Sequence, residues 1–285
     1  MSFDLFNDLM DMHEDNDKVD RSDIQKAPFP YVGGKFESIP NLKKILPYRH
    51  TWCDHFVGSC VVTLNRQPSK LEVINDRYAG IVAFYKCVKD PVKLTQLVAW
   101  LDATCHSREI FHDCRDTWCT ETDDVTRAAK WFYMARNSIS AAGRSWARGT
   151  SSPFVQQLHK SLELFQPIHH RLKTVQVENL EAEVCAREYD QIGCVHYFDP
   201  PYLDTDCTAY LVDEKWNQSK LESLLRMISN LRGYVALSHY DHQLINNCSF
   251  WTEKHTWSVS TTSRANKVGT QSVGTATECL WIKDH

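Results

Sequence analysis

The sequence predicts an α/β fold: a mostly parallel sheet with helices on both faces and a mainly helical insertion. Three observations carry this. Short apolar runs at Thr51–Val57, Leu71–Asn75, Cys194–Phe198 and Tyr234–Ser238 read as buried strands. Segments of helical period separate them, such as Arg77–Lys89, where Ile81, Phe84, Tyr85 and Val88 share one face. Turn-forming or acidic residues follow the strands, namely Gly58, Asp76 and Asp199. Strands joined by helical crossovers run parallel, and open sheets of that kind bind ligands at the carboxyl ends of their strands.

The elements follow in order. Residues 1–25 read as a flexible acidic tail. A turn-rich stretch, Pro28 to Lys35, precedes a helix at Glu37–Leu46 that stops before Pro47. After the first two strands and the Arg77–Lys89 helix, Lys93–Ala103 and Val125–Ser138 read as helices, and Cys105–Thr122 shows no clear period. Ser140–Ser152 is a loop of small residues and arginine, and Pro153–Lys173 reads as one further helix begun by its proline. Thr174–Asn179 is a short strand, Ser219–Leu231 a helix, and 250–283 a pair of antiparallel strands around a polar loop. The predicted organisation is a catalytic domain built from 26–90 and 174–285, interrupted by an insertion at 91–173.

A chain of 285 residues with 42% hydrophobic and 24% charged residues can bury a core without disulfides or metals. No apolar run is long enough to span a membrane and no secretory signal is present, so the eleven cysteines read as reduced thiols of a cytoplasmic protein. The net charge of -4 is unevenly spread. Eight acidic residues lie in the first 25, and the rest of the chain holds 28 acidic and 30 basic residues. Within 125–173, Arg127, Lys130, Arg136, Arg144, Arg148, Lys160, Arg171 and Lys173 face only Glu163. That local excess suits either a phosphate-binding face or a solvated helix surface.

The chemistry is read from the turns. Asp54-His55-Phe56-Val57-Gly58-Ser59 lacks the glycine pattern of dinucleotide enzymes, and Gly33-Gly34-Lys35 is followed by Phe36 where a P-loop needs Ser or Thr. Asp76, eighteen residues after Gly58, is placed to accept hydrogen bonds from ribose hydroxyls. A nucleoside-like ligand without a demanding phosphate site suits S-adenosylmethionine. In Asp199-Pro200-Pro201-Tyr202, the Asp199 carboxylate and the Pro200 carbonyl can accept both N–H bonds of an adenine amino group. Tyr202 can stack on the base, which must leave the duplex to be reached.

These motifs resemble those of the Dam-type class of DNA adenine-N6 methyltransferases of bacteria and their phages, over most of 27–285. The resemblance implies a methyltransferase-type, Rossmann-like sheet and transfer of a methyl group from S-adenosylmethionine to adenine N6 in double-stranded DNA. It makes Tyr31, with Gly33 and Gly34, and Lys35 the opening cofactor motif. Asp54, Phe56, Gly58 and Ser59 become the cofactor turn, Asp76 the ribose ligand, and Asp199 to Tyr202 the catalytic run. It places target recognition between the ribose and catalytic motifs, where the basic segment lies. Arg136, Asn137, Arg144, Trp146 and Arg148 are the expected DNA contacts there, with Arg264 and Lys267 from the late loop. One departure is Cys60, where the family commonly has a smaller residue such as glycine.

Other substrates for the same chemistry are RNA adenine, cytosine N4 or a protein amide, and Asp199 in place of serine argues against cytosine. A DNA-binding regulator with a vestigial cofactor site is a reading of another class. Cys105, His106, His112, Cys114 and Cys119 contain no Cys-x-x-Cys pair, so no metal is expected. Trp131-Phe132-Tyr133 is expected to be the buried side of a helix.

Overall fold

The computed structural model describes residues 23–138, 143–147, 154–203, 216–261 and 274–284. The acidic tail up to residue 22, Arg148, Arg264 and Lys267 lie outside the described residues. Among the described residues there are seven strands: β1 (Thr51–Asp54), β2 (Leu71–Asn75), β3 (Gln176–Glu178), β4 (Cys194–Phe198), β5 (Tyr234–Tyr240), β6 (Glu253–Thr261) and β7 (Gly274–Lys283). They form one sheet in the order β3-β2-β1-β4-β5-β7-β6. The first five in that order are parallel, and β7 runs antiparallel to both β5 and β6. The order reverses between β1 and β4, which opens a crevice at their carboxyl ends.

Alternation along the strands explains the two buried faces. Trp52, Val195, Tyr197, Ala236, Leu280 and Ile282 pack with Ile39 and Leu42 of α1 (Ile39–Ile45) and with Val61 and Val62 of α2 (Val61–Asn65). Their neighbours point the other way. Val235, Leu237, Cys279 and Trp281 meet Leu221, Leu224 and Ile228, which lie at helical spacing on a later helix, 218–229. The central strands β1, β4 and β5 are covered on both sides, so their residues are nearly all buried, as central parallel strands require.

Helix α3 (Ala79–Lys89) leads from the sheet into the helices of the segment expected to be an insertion: α4 (Pro91–Asp102), α5 (Arg108–Thr117), α6 (Asp124–Arg136), α7 (Phe154–Glu163) and α8 (Phe165–Leu172). Ile81, Phe84 and Tyr85 of α3 lie in one apolar cluster with Leu97, Phe111, Trp131, Phe132 and Phe165, so the insertion shares its core with α3. Asp90 caps α4 by accepting from the backbone N–H groups of Val92 and Lys93. The Trp131-Phe132-Tyr133 run is buried, as expected. Gly80 is required where α3 crosses α6, because a Cβ there would lie 2.2 Å from Trp131 Cδ1. Gly80→Ala is expected to destabilise the chain by about 1–3 kcal/mol through overpacking. Thermal unfolding checks this, and an unchanged midpoint would show that Trp131 has room to move.

Several boundaries differ from expectation. β1 ends at Asp54, three residues early, because the chain turns at once into the Gly58 loop. The segment without clear period contains α5, whose buried face is only Phe111 and Cys114. The predicted single helix over 153–173 is two, broken at Leu164, since Pro167 cannot donate to the turn before it. A short helix, α9 (Ala182–Glu188), was not anticipated, and it buries Cys185 and Ala186 before β4. Helix α10 (Gln218–Ser229) matches its prediction, and α11 (Gln243–Asn246) is a single unpredicted turn.

Candidate active site

The crevice between β1 and β4 collects the sequence-predicted turns. After β1 the chain bonds sideways to both neighbours: His55 N donates to Tyr197 O at 3.0 Å, and Val57 N to Asn75 O at 2.9 Å. Gly58 has φ +46°, and a Cβ there would lie 2.8 Å from two ring atoms of Tyr31. The Tyr31 ring therefore seals that side of the turn, and only glycine allows the approach. Gly33 also has positive φ, and Gly34 N donates to Tyr31 O at 3.0 Å, which closes the opening turn. Ser59 is buried and Phe56 half-buried, with Phe56 edge-on to Trp216 at 5.7 Å. Cys60, the departure from the family pattern, takes φ 62°, the left-handed conformation that glycine adopts without strain.

Asp76 closes the turn from the β2 side. Its two oxygens accept from the backbone N–H of Gly58 at 3.0 Å and of Tyr78 at 2.9 Å. Burial raises its pKa to about 6 despite these two bonds. Asp54 accepts from the Thr63 hydroxyl at 2.9 Å, and its other oxygen, Oδ1, is buried without a partner among the described residues. Burial, with the nearby charges of Asp199 and Asp76, pushes Asp54 up to about 7.

Lys35 links the opening turn to the Asp-Pro-Pro-Tyr run. Its ammonium lies 2.8 Å from Asp199, 3.8 Å from Glu278 and 2.8 Å from the Gly33 carbonyl, and 4.8 Å from the centre of the Tyr202 ring. Asp199 is 16% exposed at the end of β4. Burial raises its pKa to about 6, Lys35 draws it down, and Glu278 adds to the rise. Pro200 is buried and Pro201 half-buried. Three strand-end carboxylates with raised pKa values, joined by Glu278 and opposed by one lysine, make a site that favours a cationic ligand.

Tyr202 stands differently from its expected role as an open stacking platform. Its ring is 6% exposed. Its hydroxyl donates to Glu278, and its ring lies 4.5 Å from His239 and 4.8 Å from Tyr240. Stacking on a base therefore requires the ring to be uncovered. Glu278 on β7 and His239 on β5, which accepts from Leu203 N at 3.0 Å, are site residues that sequence reasoning missed. Neither belongs to a local motif, and strand pairing alone brings them in.

The basic insertion also needs correction. Asn137 is fully buried, with its amide donating to Tyr133 O and its carbonyl oxygen 3.1 Å from His106 Nδ1. It holds the end of α6 and is not presented to a ligand. Arg136 donates to Ser161 and Gln157 and ties α6 to α7. Arg171 makes a two-pronged ion pair with Glu72, at 2.6 and 2.8 Å, and Lys130 pairs with Glu121. Trp146 is half-buried against His106 and Phe111. Glu72 and Glu121 lie outside the 125–173 window, which is why the positive excess looked larger in the sequence. Arg144 is exposed. The Cys105, His106, His112, Cys114 and Cys119 group does not converge on a metal-binding point among the described residues.

A family model described as D12 class N6 adenine-specific DNA methyltransferase matches residues 31–261. The DNA adenine methylase of Escherichia coli K12 is 23% identical over 218 residues, covering 74% of this chain and 77% of that protein. The DNA adenine methylase of Vibrio cholerae serotype O1 is 23% identical over 234 residues, with 76% and 82% covered. Among solved structures, a putative methyltransferase from Escherichia coli aligns at 11% identity and a TM-score of 0.36, over 91% of this chain and 92% of that one. An rRNA methyltransferase from Streptomyces viridochromogenes aligns at 10% identity and a TM-score of 0.37, over 86% and 81%. Superpositions that loose carry no argument, but the family match takes in the opening turn, the β1 and β2 turns, the insertion and the Asp199 run together. The chain belongs to the D12 class of N6 adenine-specific DNA methyltransferases.

Proposed function

We propose that the crevice binds S-adenosylmethionine and that the chain methylates N6 of an adenine flipped out of double-stranded DNA. The observation that carries the cofactor reading is the set of raised carboxylates, Asp54, Asp76 and Asp199, around turns with no phosphate cradle. They fit a nucleoside that carries a sulfonium and an ammonium. Asp76 keeps lone pairs for ribose hydroxyls beyond its two backbone bonds. Tyr31, Gly33, Gly34, Lys35, Phe56, Gly58 and Ser59 complete the cofactor side. The cofactor supplies an electrophilic methyl group; the rest is positioning by this chain's residues.

Asp199 and the Pro200 carbonyl accept the two amino hydrogens, so the nitrogen lone pair is turned away from the ring. Lys35 holds Asp199 ionised and fixes its direction. Pro200 and Pro201 stiffen the backbone that carries the carbonyl. No covalent enzyme intermediate is needed, and the work is electrostatic. We place the reaction in the cytoplasm of a bacterium or a phage-infected cell, with 91–173 as the target-recognition part. No helix among the described residues is long and apolar enough to cross a membrane.

The test is to supply labelled cofactor with unmethylated duplex DNA, single-stranded DNA and RNA, then identify the modified nucleoside by mass spectrometry. N6-methyladenine in duplex DNA is the expected product, and label in RNA alone would overturn the substrate. Arg144, exposed on the insertion, is expected to touch phosphate. Arg144→Ala should weaken DNA binding and lower the salt slope by about one. A slope equal to that of the unmutated chain would remove Arg144 from the interface.

A further inference from the structure

Beneath the two functional turns, β1 and β4 carry the same three-residue pattern. Cys53-Asp54-His55 and Cys194-Val195-His196 each place a cysteine and a histidine two residues apart, hence on one face of the sheet. The strands are parallel neighbours, with Cys53 opposite His196. All four side chains are fully buried, and Cys185 of α9 packs beside the two strand cysteines.

Three donor atoms converge, and a fourth, the Cys194 sulfur, stands beside one of them. Cys53 Sγ lies 3.7 Å from Cys194 Sγ, and His55 Nε2 lies 3.0 Å from His196 Nδ1. One donor atom from each of Cys53, His55 and His196 falls within 4.8 Å of the others. A tetrahedral zinc ion, with bonds of about 2.3 Å to sulfur and about 2.0 Å to nitrogen, spaces its two sulfurs by roughly 3.8 Å and its two nitrogens by roughly 3.3 Å. The two pairs therefore already stand near ligand spacing.

The surroundings are those of a built site. His196 Nε2 lies 3.3 Å from Asp190, whose carboxylate also accepts from the backbone N–H of Arg232 and of Gly233. That carboxylate keeps the proton on Nε2 and turns the Nδ1 lone pair toward the cluster, the outer-shell arrangement of histidine ligands. His55 Nδ1 is buried without a partner among the described residues, so hydrogen bonding alone leaves the pair incompletely satisfied. Two thiolates would neutralise a divalent ion in this apolar interior, their protons being released on binding.

We propose that Cys53, His55 and His196, with the Cys194 sulfur turning in as the fourth ligand, form a closed structural metal site of the zinc class that fastens β1 to β4. With four protein ligands it has no open position for chemistry, so it acts by fixing the spacing of the Asp54 and Asp199 turns. It stands independently of the cofactor and substrate reading.

The test uses the full chain purified anaerobically under reducing conditions. Elemental analysis should find one zinc per chain retained through dialysis. Refolding in cobalt should give thiolate-to-metal charge-transfer and tetrahedral d–d absorption. Cys53→Ser and Cys194→Ser should each lose the metal, while the double change of the exposed Cys105 and Cys119 to serine keeps it. Because a buried variant can fail to fold, the cobalt spectrum of the unmutated chain decides on its own. An unmutated chain that refolds without a thiolate-to-cobalt band, or one whose Cys53 and Cys194 are recovered joined as a disulfide, overturns the site.

Discussion

Asp199→Ala is expected to lower methyl transfer by a factor of at least about 100–1,000 while the chain stays folded. The magnitude is that of removing one preorganised group aimed at developing charge. Asp199 sits at a strand end, 16% exposed, and contributes no apolar packing. Its removal leaves Lys35 with Glu278 and the Gly33 carbonyl, so the lysine is not stranded. Labelled-methyl incorporation, read beside the thermal midpoint, separates loss of chemistry from loss of fold. Turnover near that of the unmutated chain would remove Asp199 from the mechanism.

The second large effect is on pH dependence. Asp199 must be ionised to accept from the amino group, and burial raises its pKa from 3.8 to about 6. Transfer is therefore expected to fall as pH drops through about 6. Lys35 lowers that pKa and Glu278 raises it. Lys35→Met should consequently move the acid limb to higher pH, in addition to weakening cofactor binding. Stability runs the opposite way for this group. The folded chain holds the Asp199 proton more tightly than the unfolded chain, so its contribution is fully present below 3.8 and is lost as pH rises through about 6. The window that switches the site on also withdraws stability from the fold. Single-turnover rates across pH for both proteins check this, and an acid limb that stays in place in Lys35→Met would show that the lysine does not set the Asp199 charge.

Most of the strands and the cofactor turns were legible in the sequence because their chemistry is local. Glycine with positive φ at Gly58, an acid after Ile74-Asn75, and two prolines after a buried strand each announce a backbone event within a few residues. What stayed hidden depends on pairing between distant segments. Glu278 reaches Tyr202 only because β7 inserts beside β5. Arg171 counted toward the positive excess of 125–173, but Glu72, ninety-nine residues away, pairs with it. Asn137 looked surface-directed because its fully buried position at the end of α6 depends on His106. The cysteine and histidine cluster was invisible to a search for Cys-x-x-Cys, since its ligand pairs are split between parallel strands. The break at Leu164 follows from Pro167, although the apolar period continues through it.

The last strand of the sheet in chain order lies inside the sheet, between β5 and β6. Among the described residues β6 pairs only with β7, and Glu278 sits on β7 against Lys35 and Tyr202. A ribosome that has made the Asp199 run and even β6 has thus made a chain whose reacting centre still lacks one wall. Synthesis through about residue 283 is what brings β7 into the sheet and Glu278 beside Lys35.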